Sequence, residues 1–202
     1  PEEVVTPLDA LTSLLGDKLT YSVGAVVQRG IAELPKPQIK NPVTGNAGVH
    51  VEFLSESGEI LFTEERLASN LTWLGSQAPV EEARGLRLRT VYTPAVSETA
   101  LFGFASVQPV KVELDGQLVL DAKLTPETSD IFTALMDPPF TSSSIDFVAG
   151  QAVSIDIVVD LHGREGLAAS AQSFIFGFET DRSNEAAMIA EAVKAAKAAE
   201  LA

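Results

Sequence analysis

The 202-residue sequence has no cysteine, two histidines and one tryptophan. Without cysteine it can form neither a disulfide nor a thiolate metal site, and it offers no cysteine nucleophile. Zinc at His50 or His162 would need further nitrogen or carboxylate ligands converging on that histidine. We therefore expect no metal and no cofactor, while the compartment stays open between cytoplasmic and secreted.

Basic residues are also scarce, because 14 lysines and arginines stand against 28 aspartates and glutamates, a net charge of −14. A surface of that sign repels phosphate backbones over roughly a Debye length, so nucleic acid is not an expected partner. The apolar runs are far shorter than the ~20 residues that a membrane-spanning helix needs, so no membrane is expected either. The composition predicts a soluble, globular chain with one sizeable core.

Familiar catalytic motifs are missing as well, including GxGxxG, GxxxxGK[ST], HExxH, GxSxG and the EF-hand loop. Glycoside cleavage needs two opposed carboxylates about 5 to 10 Å apart. The pairs Glu64-Glu65 and Glu81-Glu82 do not supply them, since adjacent residues on a strand point to opposite faces. We interpret both pairs as solvated acidic surface, predict no catalytic residue, and expect this chain alone to be non-catalytic.

The middle of the chain is rich in short strands. From Val49 to Phe178 they recur at regular spacing, which predicts an antiparallel β-sandwich or barrel. The stretches GLRLRTVYT and AVSIDIVVD alternate apolar and polar residues, as strands with one buried face do. Asp115-Gly116 and Ser57-Gly58 stand between alternating runs and predict hairpin turns. The predicted fold class is therefore mainly β.

Both ends of the chain have a different character. In TPLDALTSLLG, Thr6, Pro7 and Asp9 occupy the positions of a capped helix start, and Gly16 can end the helix. KLTYSVG then alternates like a half-buried strand. The final NEAAMIAEAVKAAKAAELA predicts an amphipathic helix. Short α/β elements thus flank the β region on both sides.

The border between these regions falls in residues 29–48, which hold three prolines and three glycines and are typical of a linker or domain border. This arrangement predicts a β domain inserted into a loop of an α/β domain. The predicted parts are a helix-strand segment with linker at 1–37, the β-sandwich at 38–180 and a returning alanine-rich helix at 181–202.

Four residues are candidates for ligand contact. Phe132 and Phe140 flank TALMDPP, a loop-like segment in which an exposed phenylalanine is harder to explain by packing. Trp73, the single tryptophan, could stack on a sugar ring, although a core position is the alternative. His162 lies in the probable loop HGREG, where a structural or surface role is the alternative.

The run LRLRTVYTPAVSETALFGFASVQPVKVELDGQLVLDA resembles the heart of the protective-antigen-like (PA-fourteen) β-sandwich, with its "TP" turn, "FGF" strand and "DG" hairpin in that order. PPFTSSSIDFVAGQAVSIDI resembles the later segment of that sandwich. The flanking TPL-x-x-L helix, TY strand and alanine-rich IAEAVKAAKAAE resemble the version inserted in glycoside hydrolase family 3 β-glucosidases. Adhesin relatives bind calcium through adjacent aspartates after the FGF-type strand, whereas residues 106–109 here are Ser-Val-Gln-Pro.

This resemblance implies a non-catalytic accessory domain that shapes the outer, aglycone subsite of a β-glucosidase, with segment 130–142 and its Phe132 and Phe140 on the aglycone side. The nucleophile and the acid/base residue of such enzymes lie outside the insert, and the strand following the last helix is expected beyond Ala202. The implied partners are a carbohydrate or glycoside and the rest of the parent glycosidase. Two alternatives stay open: an independent carbohydrate-binding module, and a structural or oligomerisation domain such as the contact of a homodimer.

Overall fold

A computed structural model of the chain describes residues 5–25, 29–75, 78–180, 182 and 184–199. The helices are α1 (Pro7–Leu15), α2 (Ile131–Met136), α3 (Leu167–Ser170) and α4 (Glu185–Ala198), with 3-10 turns at Gly16–Lys18 and Lys36–Gln38. The strands are β1 (Ile31–Glu33), β2 (Ile39–Lys40), β3 (Val49–Leu54), β4 (Ile60–Arg66), β5 (Asn70–Leu74), β6 (Gly85–Tyr92), β7 (Glu98–Ala105), β8 (Val110–Leu114), β9 (Gln117–Ala122), β10 (Phe140–Phe147), β11 (Val153–Asp160) and β12 (Ala171–Glu179).

The strands form two antiparallel sheets. The five-stranded sheet has the order β1-β12-β7-β10, with β5 also paired to β12. The seven-stranded sheet has the order β4-β3-β6-β11-β8-β9, with β2 also paired to β6. The predicted fold class, mainly antiparallel β with short helices at both termini, is confirmed.

One hydrophobic core fills the space between the two sheets. The predicted alternation is confirmed in β6, where Leu86 and Leu88 are buried while Arg87 and Arg89 are half-buried on the other side. The five-stranded sheet contributes a group of phenylalanines, with ring centroids of neighbouring pairs about 6 Å apart. Aromatic rings dominate this core because each removes a large apolar area from water. Its fully buried phenylalanines are Phe53, Phe102, Phe104, Phe174 and Phe176.

Both predicted hairpin turns are present. Asp115 and Gly116 connect β8 to β9 with φ of 50° and 76°. Positive φ at both central residues is the signature of a type I′ turn, whose twist matches that of the paired strands. Ser57-Gly58 lies in the connection from β3 to β4, which pair along their whole length. Local turn chemistry therefore sets the register of these two pairs.

Residues 29–48, the predicted linker or border, contribute β1 to the five-stranded sheet and β2 to the seven-stranded sheet. Leu34, which lies between the two strands, and Ile39, the first residue of β2, are fully buried. The Leu34 amide donates a hydrogen bond of 2.7 Å to Ser69 Oγ. The prolines and glycines here shape a crossing from one sheet to the other, so the segment is part of the sandwich rather than a free connection.

The chain divides into two compact units, one formed by residues 28–180 and the other by 1–27 with 181–202. In the second unit α1 has the predicted start, since Thr6 Oγ1 accepts from the Asp9 amide and the Asp9 carboxylate accepts from Thr6 in return. No strand is assigned to residues 19–25, where the alternating pattern predicted one. A β-strand needs a neighbouring strand for its backbone hydrogen bonds, and the described residues supply none for this segment. Within the described parts, no helix is long and apolar enough to cross a membrane.

Candidate functional site

The candidate site lies on the outer face of the five-stranded sheet, the side opposite the core phenylalanines. Cross-strand partners share a face, and Gly103 of β7 is paired with both Ser142 of β10 and Gly177 of β12. The neighbouring core residues Phe102 and Phe104 point the other way, so these three residues face outward. We call this surface the glycine face.

Glycine is required at the two central positions of this face. A Cβ on Gly103 would lie 2.1 Å from the Thr141 carbonyl oxygen, and one on Gly177 would lie 2.1 Å from the Ala32 carbonyl oxygen. Gly177 also has φ of 152°, a conformation that favours glycine. The two glycines therefore carry no side chains of their own, and both are buried.

A polar pair reaches across β7. The Ser142 hydroxyl donates a hydrogen bond to Glu179 Oε2, although the strand β7 separates their two strands. The contact is possible because Gly103, which lies between them, has no side chain. Both partners are half-buried. The sequence analysis did not single out either residue, and a serine within a serine run and a strand-end glutamate carry no local signal of such a contact.

Of the two predicted phenylalanines, Phe140 lies on the same face and Phe132 lies on helix α2. Phe140 is two residues before Ser142 on β10 and therefore projects to the same side, with 36% of its surface exposed. Its ring lies 3.6 Å from the position that a Cβ of Gly30 would occupy. Phe132, in α2, is 59% exposed. Both predicted contact residues thus present aromatic surface to solvent.

Helix α2 fixes Phe132 in place. The Asp130 carboxylate caps the helix by accepting from the Thr133 hydroxyl and from its amide, and these bonds hold the pKa of Asp130 below its ordinary value. Ala134 and Leu135 are buried, and the helix lies against β12. The segment predicted to be a loop is therefore a short capped helix with an apolar, buried side and an exposed aromatic side.

Trp73 lies in the core and has no exposed surface. The Phe53 ring is perpendicular to the indole with centroids 5.5 Å apart, and the Arg66 guanidinium lies over the indole at 5.3 Å from its centroid. Its indole N–H donates to Glu64 Oε1 at 2.5 Å. A ring enclosed in this way has no face free for a sugar, so the structure supports the core alternative.

His162 lies at the far end of β11, in an exposed cluster. Its Nδ1 is 2.5 Å from Asp160 Oδ1 and its Nε2 is 3.4 Å from Glu56 Oε1. The hydrogen bond to Asp160, followed by the charges of Asp160 and Glu56, raises the pKa of His162. Neither Phe132 nor Phe140 belongs to this cluster, and ionic contacts account for the histidine.

The loop that carries His162 is held by Arg164, whose guanidinium donates to four backbone carbonyls. Burial lowers the pKa of this arginine, followed by the charge of Arg84. The arrangement is structural, because every acceptor is main chain. The four acceptors are the carbonyls of Val80, Ala83, Leu161 and Ala169.

The outer face of the seven-stranded sheet holds a different kind of polar group. The carboxylate of Glu52, only 5% exposed, accepts from Arg89 and lies 3.2 Å from His50 Nε2. Arg87 binds Asp156 with two nitrogens, at 3.0 Å from Nε to Oδ1 and 2.5 Å from Nη2 to Oδ2. Each of these two carboxylates thus has an arginine partner.

The glutamate pairs behave as strand geometry predicts. Glu64 is paired in register with the core residue Val51, and Glu65 with His50, so the two carboxylates lie on opposite faces of β4. Glu81 and Glu82 are exposed in a turn. Among the residues that the structure describes, no three His, Asp or Glu side chains are grouped so as to hold a metal ion.

No family model matches the chain. It is 26% identical to beta-glucosidase B of Emericella nidulans over 211 aligned residues, an alignment that covers 98% of this chain and 24% of that enzyme. The chain is thus homologous over nearly its whole length to a segment of a fungal β-glucosidase. It spans about a quarter of the length of the relatives that it matches.

The fold is shared with the Kluyveromyces marxianus beta-glucosidase, at a TM-score of 0.68 and 19% identity over 98% of this chain and 24% of that one. A second structure of that enzyme, in complex with glucose, gives a TM-score of 0.66 at 17% identity over 98% of this chain and 25% of that one. Both alignments extend over the sandwich and the terminal elements, so the common fold includes both units.

Proposed function

We propose that this chain is a protective-antigen-like accessory domain inserted in a β-glucosidase of the glycoside hydrolase family 3 type, where it shapes the outer, aglycone subsite without performing the chemistry. Homology to one quarter of a β-glucosidase supports the parent enzyme. In this proposal the sandwich interrupts an α/β-sandwich domain whose two ends are the terminal helices. Its partners are the remainder of that glycosidase and its glycoside substrate.

The observation that carries the subsite role is the exposure of two phenylalanines, Phe132 on α2 and Phe140 on β10. Phe132 and Phe140 retain 59% and 36% of their surface to solvent, although a residue of this type ordinarily gains free energy by burial. A sugar or aryl aglycone offers apolar C–H groups or a ring that can cover such surface. Aromatic pairs contribute about 0.5–1.5 kcal/mol beyond the area that they bury.

The two rings are suited to a selective contact because they are held differently. Phe132 projects from the exposed side of the capped helix α2, and Phe140 begins β10, where its backbone is paired with Ala105. A rigid aromatic side chain loses little conformational entropy when it binds. An aglycone would therefore meet preformed surfaces, and its fit to them would affect substrate preference.

The test is a kinetic comparison in the full-length glycosidase that the proposal implies. Phe132→Ala and Phe140→Ala are assayed on an aryl glucoside and on a disaccharide, with Val43→Ala as an exposed control in another loop. Removing a contact that binds substrate and transition state equally well raises KM and leaves kcat nearly unchanged. We expect KM to rise by about 3- to 10-fold for at least one of the two substrates, by analogy with about 1 kcal/mol per aromatic contact. Equal KM values for wild type and both variants would contradict the subsite role.

The second candidate function, an independent carbohydrate-binding module, is favoured by the exposure of the same two rings on the sandwich itself. A module of this kind binds sugar without the rest of the enzyme. The isolated 202-residue chain can be titrated with mono- and disaccharides, with calcium and with a chelator, while amide resonances are followed by NMR. Saturable shifts around residues 132–140 would support the module, and their absence would contradict it.

A further inference from the structure

We propose that Met136 is a specificity-determining residue of the aglycone subsite, and that with Phe132 it forms a contact surface for a neutral aryl or alkyl aglycone rather than for a second sugar. The inference rests on the proposed function, because it adds a residue and a substrate class to the same subsite. We call the exposed side chains of Phe132 and Met136 the α2 face.

The first step is the position of Met136. It is the last residue of α2 and follows Phe132 by four positions, so the two side chains are neighbours on one side of the helix. Met136 is 67% exposed and Phe132 is 59% exposed, whereas Ala134 and Leu135 are buried. The side of α2 that is turned away from the sandwich therefore presents an aromatic ring beside a thioether, and both are accessible.

The second step is the hydrogen-bonding capacity of the α2 face. Thr133 carries the one polar side chain between Ile131 and Met136, and its hydroxyl donates to the Asp130 carboxylate. None of the side chains of α2 thus has a free N–H or O–H group for the hydroxyls of a second sugar. Phenylalanine and methionine pack well against apolar groups, and a thioether makes favourable contacts with an aromatic ring. These properties match an aryl or alkyl aglycone.

The third step is the charge of the aglycone. Asp130 immediately precedes α2 and Asp137 immediately follows it, and both are exposed. The hydrogen bonds from Thr133 lower the pKa of Asp130, which keeps this carboxyl ionised at neutral pH. Negative charge at both ends of the helix disfavours an anionic ligand, because like charges repel. The α2 face therefore favours a neutral aglycone.

The size of the α2 face indicates a small ligand rather than a protein. A stable protein–protein contact takes ~800 Å² from each partner, contributed by roughly 20–30 residues. The α2 face consists of two side chains, and Phe140 on β10 adds a ring that is 36% exposed. One aromatic ring or a short alkyl chain can cover Phe132 and Met136 together, as apolar groups do in small-molecule sites.

The experiment compares kcat/KM for phenyl β-D-glucoside with kcat/KM for cellobiose in the full-length glycosidase that the proposed function implies. Met136→Gln replaces the thioether by a polar group of similar length, and Met136→Leu keeps an apolar side chain. Val43→Gln, at another exposed apolar position, is the matched control. We expect Met136→Gln to lower the ratio of the two values by about three- to tenfold, because a contact with the aryl ring is lost. Met136→Leu and Val43→Gln should change it by less than about twofold.

A second readout reports the contact itself. In full-length enzyme labelled with carbon-13 at the methionine methyl groups, the Met136 resonance is identified by its absence from the spectrum of Met136→Leu. Phenyl 1-thio-β-D-glucoside, an aryl glucoside that resists hydrolysis, should shift this resonance saturably through the ring current of its phenyl group. Methyl 1-thio-β-D-glucoside should shift it far less. A Met136 resonance that does not respond to the phenyl compound would overturn the contact.

The outcomes separate this inference from the proposed function. If Phe132→Ala raises KM equally for both substrates and Met136→Gln leaves the ratio unchanged, the subsite role stands, and the role of Met136 and the aglycone class are overturned. A lower melting temperature of full-length Met136→Gln with an unchanged ratio would show that the α2 face packs against another domain, which also overturns the inference. Unchanged KM values in both Phe132→Ala and Phe140→Ala would contradict the subsite role itself.

Discussion

The two sheets of the sandwich share one core but present opposite kinds of outer face. On the seven-stranded sheet the half-buried and buried charges are matched, with Glu52 bound to Arg89 and Asp156 bound to Arg87. On the five-stranded sheet Glu179 has a serine partner, and Phe140 lies on the same face as two buried glycines. The first face pairs its partly buried carboxylates with arginines, whereas the second pairs Glu179 with a neutral hydroxyl.

The difference lies in how each partly buried carboxylate is paired. An arginine partner offsets the cost of removing a carboxylate from water. A serine hydroxyl supplies a single hydrogen bond and no opposite charge. The four predictions below test this contrast, and they start with the largest expected effect.

The largest effect separates the enclosed aromatic ring from the exposed ones. Trp73→Ala should destabilise the chain by about 3–5 kcal/mol, because it opens a core cavity and removes one of the hydrogen-bond donors to Glu64. Phe132→Ala, at an exposed position of α2, should change stability by no more than about 0.5 kcal/mol. Urea unfolding followed by circular dichroism measures both. Similar costs for the two variants would contradict the assignment of one ring to the core and the other to the surface.

The second prediction concerns the outer face of the seven-stranded sheet. Glu52→Gln should lower the free energy of unfolding by about 2–3 kcal/mol, since Arg89 and His50 would be left with a neutral partner in a buried position. Glu179→Gln, on the other face, should cost less than about 1 kcal/mol, because a neutral hydrogen bond to Ser142 can persist. Chemical denaturation of both variants tests this. A larger cost at Glu179 than at Glu52 would contradict the expected difference between a serine-paired and an arginine-paired carboxylate.

The third prediction compares two strand glycines. Gly103→Ala should cost about 1–3 kcal/mol and disturb the pairing of β10 with β7, because its Cβ would collide with the Thr141 carbonyl. Gly85→Ala in β6 is the control, since its Cβ would lie 3.4 Å from Leu54 Cβ, which is an ordinary van der Waals contact. Its change should stay below about 1 kcal/mol. Thermal unfolding and amide exchange of residues 140–147 measure the two effects, and equal costs would show that Gly103 is not tightly constrained.

The smallest effect concerns the exposed cluster around His162. Its pKa is raised by the hydrogen bond and charge of Asp160 and by the charge of Glu56. A raised folded-state pKa means that the stabilising contribution is complete below the unfolded value of about 6.5 and is lost as pH rises through the folded value. NMR titration of the imidazole should show a pKa above that of a model histidine.

The carboxyl partner in this cluster behaves in the opposite sense. The Asp160 pKa is lowered, first by the hydrogen bond from the His162 amide. Its contribution is therefore present above the unfolded value of about 3.9 and is lost as pH falls through the folded value. Asp160→Asn should return the His162 pKa toward its ordinary value. An unchanged His162 titration in that variant would show that the contact is not formed in solution.

Much of the fold follows from local patterns. The Asp115-Gly116 turn, the alternation of β6 and the capped start of α1 were predicted from residue types and spacing, because each depends on neighbours in the sequence. Segments whose state depends on distant partners were harder to interpret. Residues 29–48 form β1 and β2 only because β12 and β6 are there to pair with them.

For the candidate site, the sequence by itself determined that Phe132 and Phe140 stand out, because phenylalanines beside prolines and polar residues have little local reason to be buried. Only the tertiary structure decided that Trp73 is enclosed, since Phe53 and Arg66 approach it from other strands. It also brought Glu179 to Ser142, which are 37 residues apart in the chain. That contact depends on two glycines meeting in register across β7 and β12, and register is a property of the assembled sheet rather than of any single segment.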